Sequence, residues 1–305
     1  MKGAIGIDVG GTKIAFGAVT PDGRIVARRT IATQPDDPFE SGFGRIKHET
    51  EQLLVDVGWQ ADEVSGIGIG CPGPVDTARG LILSVYTLPG WSNREFAGPL
   101  SAHFNNMPVR LENDANAALL GEAFAGAAKG KKSAVMLTLG TGVGGAVLLD
   151  GKIYHGAGGA HPEIGHVSVL PDGPECYCGT RGCYEIIAAG PAIANAGAEI
   201  GLAGSEAVFA AAATEGNAKA ATIIDGVSAA TEVAVWSILH TYLPELMLFG
   251  GGIVDGHWPL FEAAAQKSLA AAVLARDEDV TIARATLGND AGMVGAASLI
   301  LQNGS

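Results

Sequence analysis

Charge is scarce in this sequence, and basic charge is scarcer still. Asp, Glu, Lys and Arg together make up 17% of the 305 residues, with 32 acidic against 19 basic side chains and a formal net charge of -13. So acidic a chain argues against a nucleic-acid backbone as the main partner, because phosphate contacts need a basic face. It does not exclude a small phosphorylated ligand, which backbone N–H groups can hold. No run of about 18 apolar residues occurs, so no membrane span is expected. A strand pattern begins so close to Met1 that no signal peptide is expected. Cysteines number only four, three of them within eight residues. That usage points to a reduced compartment, the cytoplasm, and to a metal rather than a disulfide framework. The pattern GxxxxGK[ST] is missing, which removes a Walker-type NTPase.

Glycine, by contrast, is abundant. The 45 glycines follow no period that would suggest collagen, and they cluster where strands should turn sharply. With 48% hydrophobic residues, long disorder is not expected. The length suits one large domain or two of ordinary size. Ile-, Val- and Ala-rich runs predict strands at 3–8, 13–19 and 24–32, separated by Gly-Gly-Thr and by Pro21-Asp22-Gly23. A helix is predicted over 43–57, a strand over 66–70, a helix over 94–105, a short strand at 109–111 and an alanine-rich helix at 115–128. Residues 191–285 read as largely helical around a strand at 246–249, and 290–302 as a last helix. Residues 17–26 are echoed by residues 145–154, sharing Gly, Ala, Val, Asp, Gly and Ile in register. Hairpins with Asp-Gly turns look alike in any case. The match also predicts an internal duplication, with two related α/β halves facing each other across a cleft.

Two glycine-rich turns open these halves. Asp8-Val9-Gly10-Gly11-Thr12-Lys13 joins two predicted strands. Its glycines let backbone N–H groups approach an anion, Thr12 adds a hydroxyl, and Asp8 can reach a phosphate-bound Mg²⁺. A plain hairpin turn would read much the same. Gly140-Thr141-Gly142-Val143-Gly144-Gly145 matches GxGxxG in form, but the dinucleotide fingerprint needs a helix next. Here a strand and an Asp-Gly hairpin follow, so an NAD-dependent oxidoreductase is rejected and a second phosphate-contacting turn is expected. Together the turns resemble the sugar-kinase and actin architecture, in which ATP lies between two duplicated domains. Phe249-Gly250-Gly251-Gly252-Ile253 resembles the adenosine loop of that superfamily.

Two polar clusters complete the pattern. Glu112-Asn113-Asp114-Ala115-Asn116 sits where a strand hands over to a helix. Asn113 and Asp114 are suited to holding sugar hydroxyls, and Asp114 to taking a proton as general base; helix N-capping is the other reading. His161-Pro162-Glu163-Ile164-Gly165-His166 is not HExxH, because the glutamate is misplaced and Pro162 and Gly165 disfavour a helix. With Cys176, Cys178 and Cys183, however, His166 supplies one imidazole and three thiolates, a tetrahedral Zn²⁺ set whose four protein ligands would make the metal structural. Cys71 stands apart as a core thiol.

In order along the chain, residues 8–13, Pro72-Gly73-Pro74-Val75-Asp76, Leu88-Pro89-Gly90-Trp91, residues 112–116, 139–145, 163–166 and 176–185 resemble the ROK family (repressors, open reading frames and kinases) over nearly the whole length. Repressors of that family carry a helix-turn-helix before the Asp-Gly-Gly-Thr motif. Only seven residues precede it here, so a kinase is expected. The resemblance implies an α/β, duplicated actin-like (ribonuclease H-like) ATPase fold. The small domain would span 1–115 with a helix returning at 287–305, and the large domain 116–286 with the zinc motif. It implies hexose contacts from Gly73, Asn113, Asp114, Glu163, His166 and Glu185, with Asp114 as catalytic base. ATP would be met by Gly10, Thr12, Gly140, Thr141, Gly142 and Gly251, with Asp8, Gly11 and Lys13 on the same turn. Structural Zn²⁺ would sit on His166, Cys176, Cys178 and Cys183. The implied reaction moves the γ-phosphoryl group of ATP, with Mg²⁺, to a hexose 6-hydroxyl, glucose first. A homodimer or homotetramer is the expected assembly. His161-Pro162 before Glu163 resembles the family's fructokinases, whereas the tight cysteine pattern resembles its glucokinases, so fructose and mannose remain open. So do polyphosphate as donor and a non-catalytic sugar-binding regulator.

Overall fold

Where Gly10 and Gly11 interrupt two apolar runs, the chain folds back on itself. In the computed structural model, which describes residues 1–302 apart from 84–87, 160, 215 and 275–278, β1 (Gly3–Val9) and β2 (Lys13–Val19) form an antiparallel hairpin. The Asp22-Gly23 turn then leads into β3 (Ile25–Ala32), whose residues alternate between exposed and half-buried, as an edge strand with one wet face should. Helix α1 (Phe39–Val57) follows, closed by Gly58 in the left-handed conformation. Strand β4 (Val64–Cys71) lies parallel to β1. A small sheet of β5 (Val75–Asp76), β6 (Leu81–Ile82) and β7 (Arg94–Glu95) precedes α2 (Ala97–His103). The predicted helix at 94–105 is therefore shorter, because Arg94 and Glu95 pair with β6 instead. Strand β8 (Val109–Asn113) then runs directly into α3 (Asp114–Ala125).

The second half repeats the scheme. β9 (Ala134–Leu139) and β10 (Val143–Leu149) form an antiparallel hairpin, and the Asp150-Gly151 turn leads to β11 (Lys152–Ile153). Helices α4 (Glu185–Ala188), α5 (Gly190–Ala198), α6 (Ser205–Ala212) and α7 (Ala218–Tyr242) precede β12 (Leu246–Gly250). Helix α8 (Gly252–Ala271) is broken at His257, two residues before Pro259, which cannot donate to the helix ladder. β13 (Thr281–Arg284) is a strand inside a stretch expected to be helical, too short to show a period of its own. Residues 215 and 275–278 of that stretch lie outside the described residues, as does the end of the predicted C-terminal segment at 303–305. Helix α9 (Ala291–Leu301) ends the described chain.

The two five-stranded sheets have matching orders, β3-β2-β1-β4-β8 and β11-β10-β9-β12-β13. In each, the hairpin is antiparallel and the next two strands are parallel. The repeated segments fall on β2–β3 and β10–β11, the equivalent places that a duplication requires. The chain divides into a first unit of Met1–Gly130, Gly151–Pro162 and Asn289–Ser305 and a second of Lys131–Asp150 and Glu163–Gly288. The division differs from the expected one at α3, which packs along α9 in the first unit, at Gly151–Pro162, which also falls in the first unit, and at 287–288, which fall in the second. Ile5, Ile7, Phe16, Ile67, Trp91 and Phe96 centre the first core; Leu137, Tyr184, Phe249 and Phe261 centre the second. Among the described residues, α7 is the one helix long and apolar enough to cross a membrane. Its Val227, Ala234, Val235 and Leu239 are buried in the second core.

Candidate active site

The first unit gathers one set of predicted residues at the carboxyl ends of its parallel strands, the edge where open α/β sheets bind ligands. Asp8 pairs with Gly70 of β4, and Gly70 with Glu112 of β8. A Cβ on Gly70 would lie 3.8 Å from Asp8 Oδ1 and 3.7 Å from Asp114 Cα, so the two aspartates flank that glycine. Burial and the nearby Asp114 carboxylate push the Asp8 carboxyl up to about 7, against the opposing pull of Lys13. Beyond Asp8 the turn is closed by Gly10 N–H donating to the Lys13 carbonyl (2.9 Å), with Thr33 Oγ1 donating to the Gly10 carbonyl (2.6 Å). Thr12 and Lys13 are exposed.

Asn113 turns out to be an N-cap. Its Oδ1 accepts from the N–H groups of Ala115 (3.0 Å) and Asn116 (3.1 Å), as a capping asparagine does. Its Nδ2 donates to Asp114 Oδ1 (3.0 Å), which also accepts from Ala115 N–H (2.9 Å). The Asp114 carboxylate is thereby fixed in orientation at the first turn of α3. Gly73 is close by: a Cβ there would stand 3.0 Å from Asn113 Nδ2 and 2.4 Å from His161 Cε1. Behind them, the buried Glu112 accepts from Asn113 N–H (2.8 Å) and Asn116 Nδ2 (3.0 Å) through Oε1, while Oε2 is 2.7 Å from His155 Nε2. That contact raises the His155 pKa. His155 was missed by the sequence reading, because nothing local pairs it with a residue 43 positions earlier.

The second unit gathers the other set. The β9–β10 turn is closed by Gly140 N–H donating to the Gly142 carbonyl (2.9 Å). Glu185, first residue of α4, accepts from Val143 N–H through Oε2 (2.8 Å), which ties the turn to the cysteine loop. The short 3₁₀ turn Ile164–His166 lies on β10, and only glycine fits at 165, since a Cβ would be 1.9 Å from the Val143 carbonyl oxygen. Exposed Glu163 precedes it. Gly251 sits at φ +92° before α8, and a Cβ would be 2.3 Å from the Leu139 carbonyl oxygen. The glycine loop is thus packed against the end of β9, beside Gly140 and Thr141.

His166, Cys176, Cys178 and Cys183 present ligand atoms all within 4.8 Å of one another. His166 Nδ1 is 3.5 Å from Cys176 Sγ, and Cys178 Sγ is 3.4 Å from Cys183 Sγ. Two thiolates each about 2.3 Å from one ion in tetrahedral array would stand ~3.8 Å apart, so the donor set fits zinc in kind and in spacing. With Nδ1 facing the sulfurs, His166 Nε2 faces Glu185 Oε1 at 3.9 Å. The structure therefore brings Asp8, Gly10–Lys13, Gly73, Asn113 and Asp114 together in one unit. Gly140–Gly142, Glu163, His166, Glu185, Gly251 and the cysteines come together in the other.

A sequence model of the ROK family matches residues 4–303. This chain belongs to the ROK family. It is similar to a glucokinase from Thermotoga maritima, with 35% identity over 97% of this chain and 96% of that protein. Among solved structures, a ROK hexokinase from Thermus thermophilus shares 31% identity at a TM-score of 0.84, covering 98% of each chain. A ROK family glucokinase from Streptomyces griseus, in complex with glucose and AMPPNP, shares 30% identity at a TM-score of 0.81, covering 98% of this chain and 99% of that one. The fold is thus the α/β, actin-like ATPase fold that the sequence implied.

Proposed function

We propose that this protein transfers the γ-phosphoryl group of ATP to the 6-hydroxyl of a hexose, with glucose preferred. The observation that carries this reading is Asp114, held in one orientation by Asn113 Nδ2 and Ala115 N–H and placed beside Asp8 on the glycine-rich turn. A carboxylate oriented by neighbours is suited to accept the proton of an attacking hydroxyl. Asn113 has a second amide hydrogen for a sugar oxygen, and Gly73, lacking a Cβ, lets the Asn113 amide and the His161 ring come close beside it. Glu163, His166 and Glu185 hold further hydroxyls. Gly10, Gly11, Thr12 and Lys13, with Gly140, Thr141, Gly142 and Gly251, contact ATP through backbone N–H groups and side-chain donors. Asp8 is the side chain that would hold Mg²⁺, since two close carboxylates are eased by a cation. Mg²⁺ with ATP neutralises phosphate charge when bound. His166, Cys176, Cys178 and Cys183 would hold Zn²⁺ with four protein ligands, which would make the metal structural. The proposed setting is a cytoplasmic homodimer or homotetramer.

The test is a hexose panel with ATP, scored by kcat/KM, run on the unmutated protein and on Asp114→Asn. Glucose should lead. Mannose should fall roughly ten- to a hundredfold behind, because a buried polar group left unpaired costs about 1–3 kcal/mol. Fructose should be worse than both. Asp114→Asn should keep sugar binding while turnover drops on the order of 10²–10⁴. Fructose ahead of glucose would instead favour His161, whose ring touches the Gly73 and Asn113 side of the site, as the residue that selects the sugar. No phosphorylation of any hexose would leave a sugar-binding regulator.

A further inference from the structure

Tyr177 lies between two cysteines of the metal set, and its hydroxyl meets His166 at Nε2, the ring nitrogen other than the one that faces Cys176. It is 60% exposed, so packing does little to hold it. Its hydroxyl is 3.1 Å from His166 Nε2 and hydrogen-bonds the Glu185 carboxylate, with Glu163 also within electrostatic reach. The phenol ring meets the imidazole edge-on, with centroids 5.0 Å apart. These three partners are the side chains that the proposed function assigns to the hexose from this unit. His166 Nε2 and Glu185 Oε1 are 3.9 Å apart, which leaves room for one bridging hydroxyl. Phenol and sugar hydroxyls offer the same chemistry there, one donor hydrogen and an acceptor oxygen. They cannot both occupy the place.

We infer that the Tyr177 hydroxyl holds the position of a hexose hydroxyl between His166 and Glu185, and that sugar binding swings it aside. The proposal rests on the hexose-kinase reading of the same site. The movement needs only side-chain rotation. The backbone around Tyr177 is fixed by Cys176 N–H donating to the Thr180 carbonyl (2.8 Å) and Gly179 N–H to the Cys176 carbonyl (3.0 Å). Every hexose must then break the tyrosine contacts before making its own. Tyr177 therefore sets affinity for the sugar without taking part in phosphoryl transfer.

The experiment is calorimetric titration of the zinc-loaded protein with glucose, without nucleotide, for the unmutated chain and Tyr177→Phe. Loss of the competing hydroxyl should tighten glucose binding by about two- to tenfold, the range of one ordinary hydrogen bond. KM for glucose should fall in step while kcat changes by less than about twofold. In parallel, the chain is labelled with 3-fluorotyrosine. With five tyrosines, the fluorine resonance of Tyr177 can be identified from single Tyr→Phe variants, and it should move when glucose is added. Weaker or unchanged glucose binding in Tyr177→Phe, or a Tyr177 resonance indifferent to glucose, overturns the inference. The unmutated chain is assayed separately for phosphorylation of each hexose of the panel. An active enzyme whose Tyr177 does not respond sinks only this inference, whereas a chain that phosphorylates no hexose of the panel sinks the kinase reading and this inference with it.

Discussion

Asp8 carries the sharpest pH consequence of any single residue. An ordinary aspartate titrates near 3.9, whereas burial and Asp114 lift Asp8 to about 7. A folded pKa raised above the unfolded one contributes stability that is fully present below the unfolded pKa and lost as pH rises through the folded pKa. The window therefore runs from about pH 4 to about pH 7. In metal- and nucleotide-free protein, Asp8→Asn should match the unmutated chain near pH 4 and melt several degrees higher at pH 8. Mg²⁺ with ATP should shrink that difference by restoring a partner to the carboxylate. Thermal unfolding across pH checks this, and a difference that stays constant with pH would mean Asp8 is not the titrating group. Asn113 illustrates a different point at the same scale. Capping and ligand binding were both legible from its place at a strand–helix junction. The structure shows its oxygen spent on the cap and its amide aimed at Asp114, so one side chain serves α3 and the neighbouring carboxylate together.

At the scale of elements, the loop from His166 to Glu185 carries little regular structure of its own. Isolated bridges, Ser168 to Cys183 and Glu175 to Arg181, and a few turn hydrogen bonds are its regular structure. So open a segment needs a cross-link to hold Glu185 and His166 in place. About one Zn²⁺ per chain is expected from the ligand count. Cys178→Ala should lower metal content, melting temperature and glucose affinity together, and elemental analysis with calorimetry would show it. Full metal content and an unchanged melting temperature in that variant would remove Cys178 from the ligand set. The strands of the first sheet, with β10 and β12 of the second, were legible because turn chemistry and apolar runs are local signals, whereas β9 had not been picked out. β13 was not, since four residues pairing beside β12 acquire strand geometry from their neighbour.

For the molecule as a whole, the decisive contact joins segments more than 150 residues apart: α9, at the end of the chain, packs on β1, β4 and α3 of the first unit. The approach is close enough that a Cβ on Gly295 would lie 1.6 Å from the Ala117 carbonyl oxygen, backbone against backbone. Gly295→Ala cannot be relieved by a side-chain rotation and should cost about 1–3 kcal/mol or more. Its denaturant midpoint should drop accordingly, with zinc content unaffected because the metal set belongs to the other unit. A midpoint equal to that of the unmutated chain would mean that α9 can shift away without loss.

Taken alone, the sequence determined the things that depend on neighbours in the chain. These were the paired hairpins of the duplication, the Cys₃His donor set with its spacing, and the junction that delivers Asn113 and Asp114 at the start of a helix. What it could not determine depends on segments that meet only after folding. The raised proton affinity of Asp8 requires burial and a carboxylate 106 residues away in the sequence, Asp114. The His155–Glu112 bond and the seat of the Tyr177 hydroxyl beside Glu185 have no local pattern at all. Helix α3 fell to the first unit rather than the second because its surface is complementary to α9, a relation invisible until both helices are in place. Local geometry is written in composition and period; electrostatics and close packing are properties of distances, and distances between remote residues exist only in the folded chain.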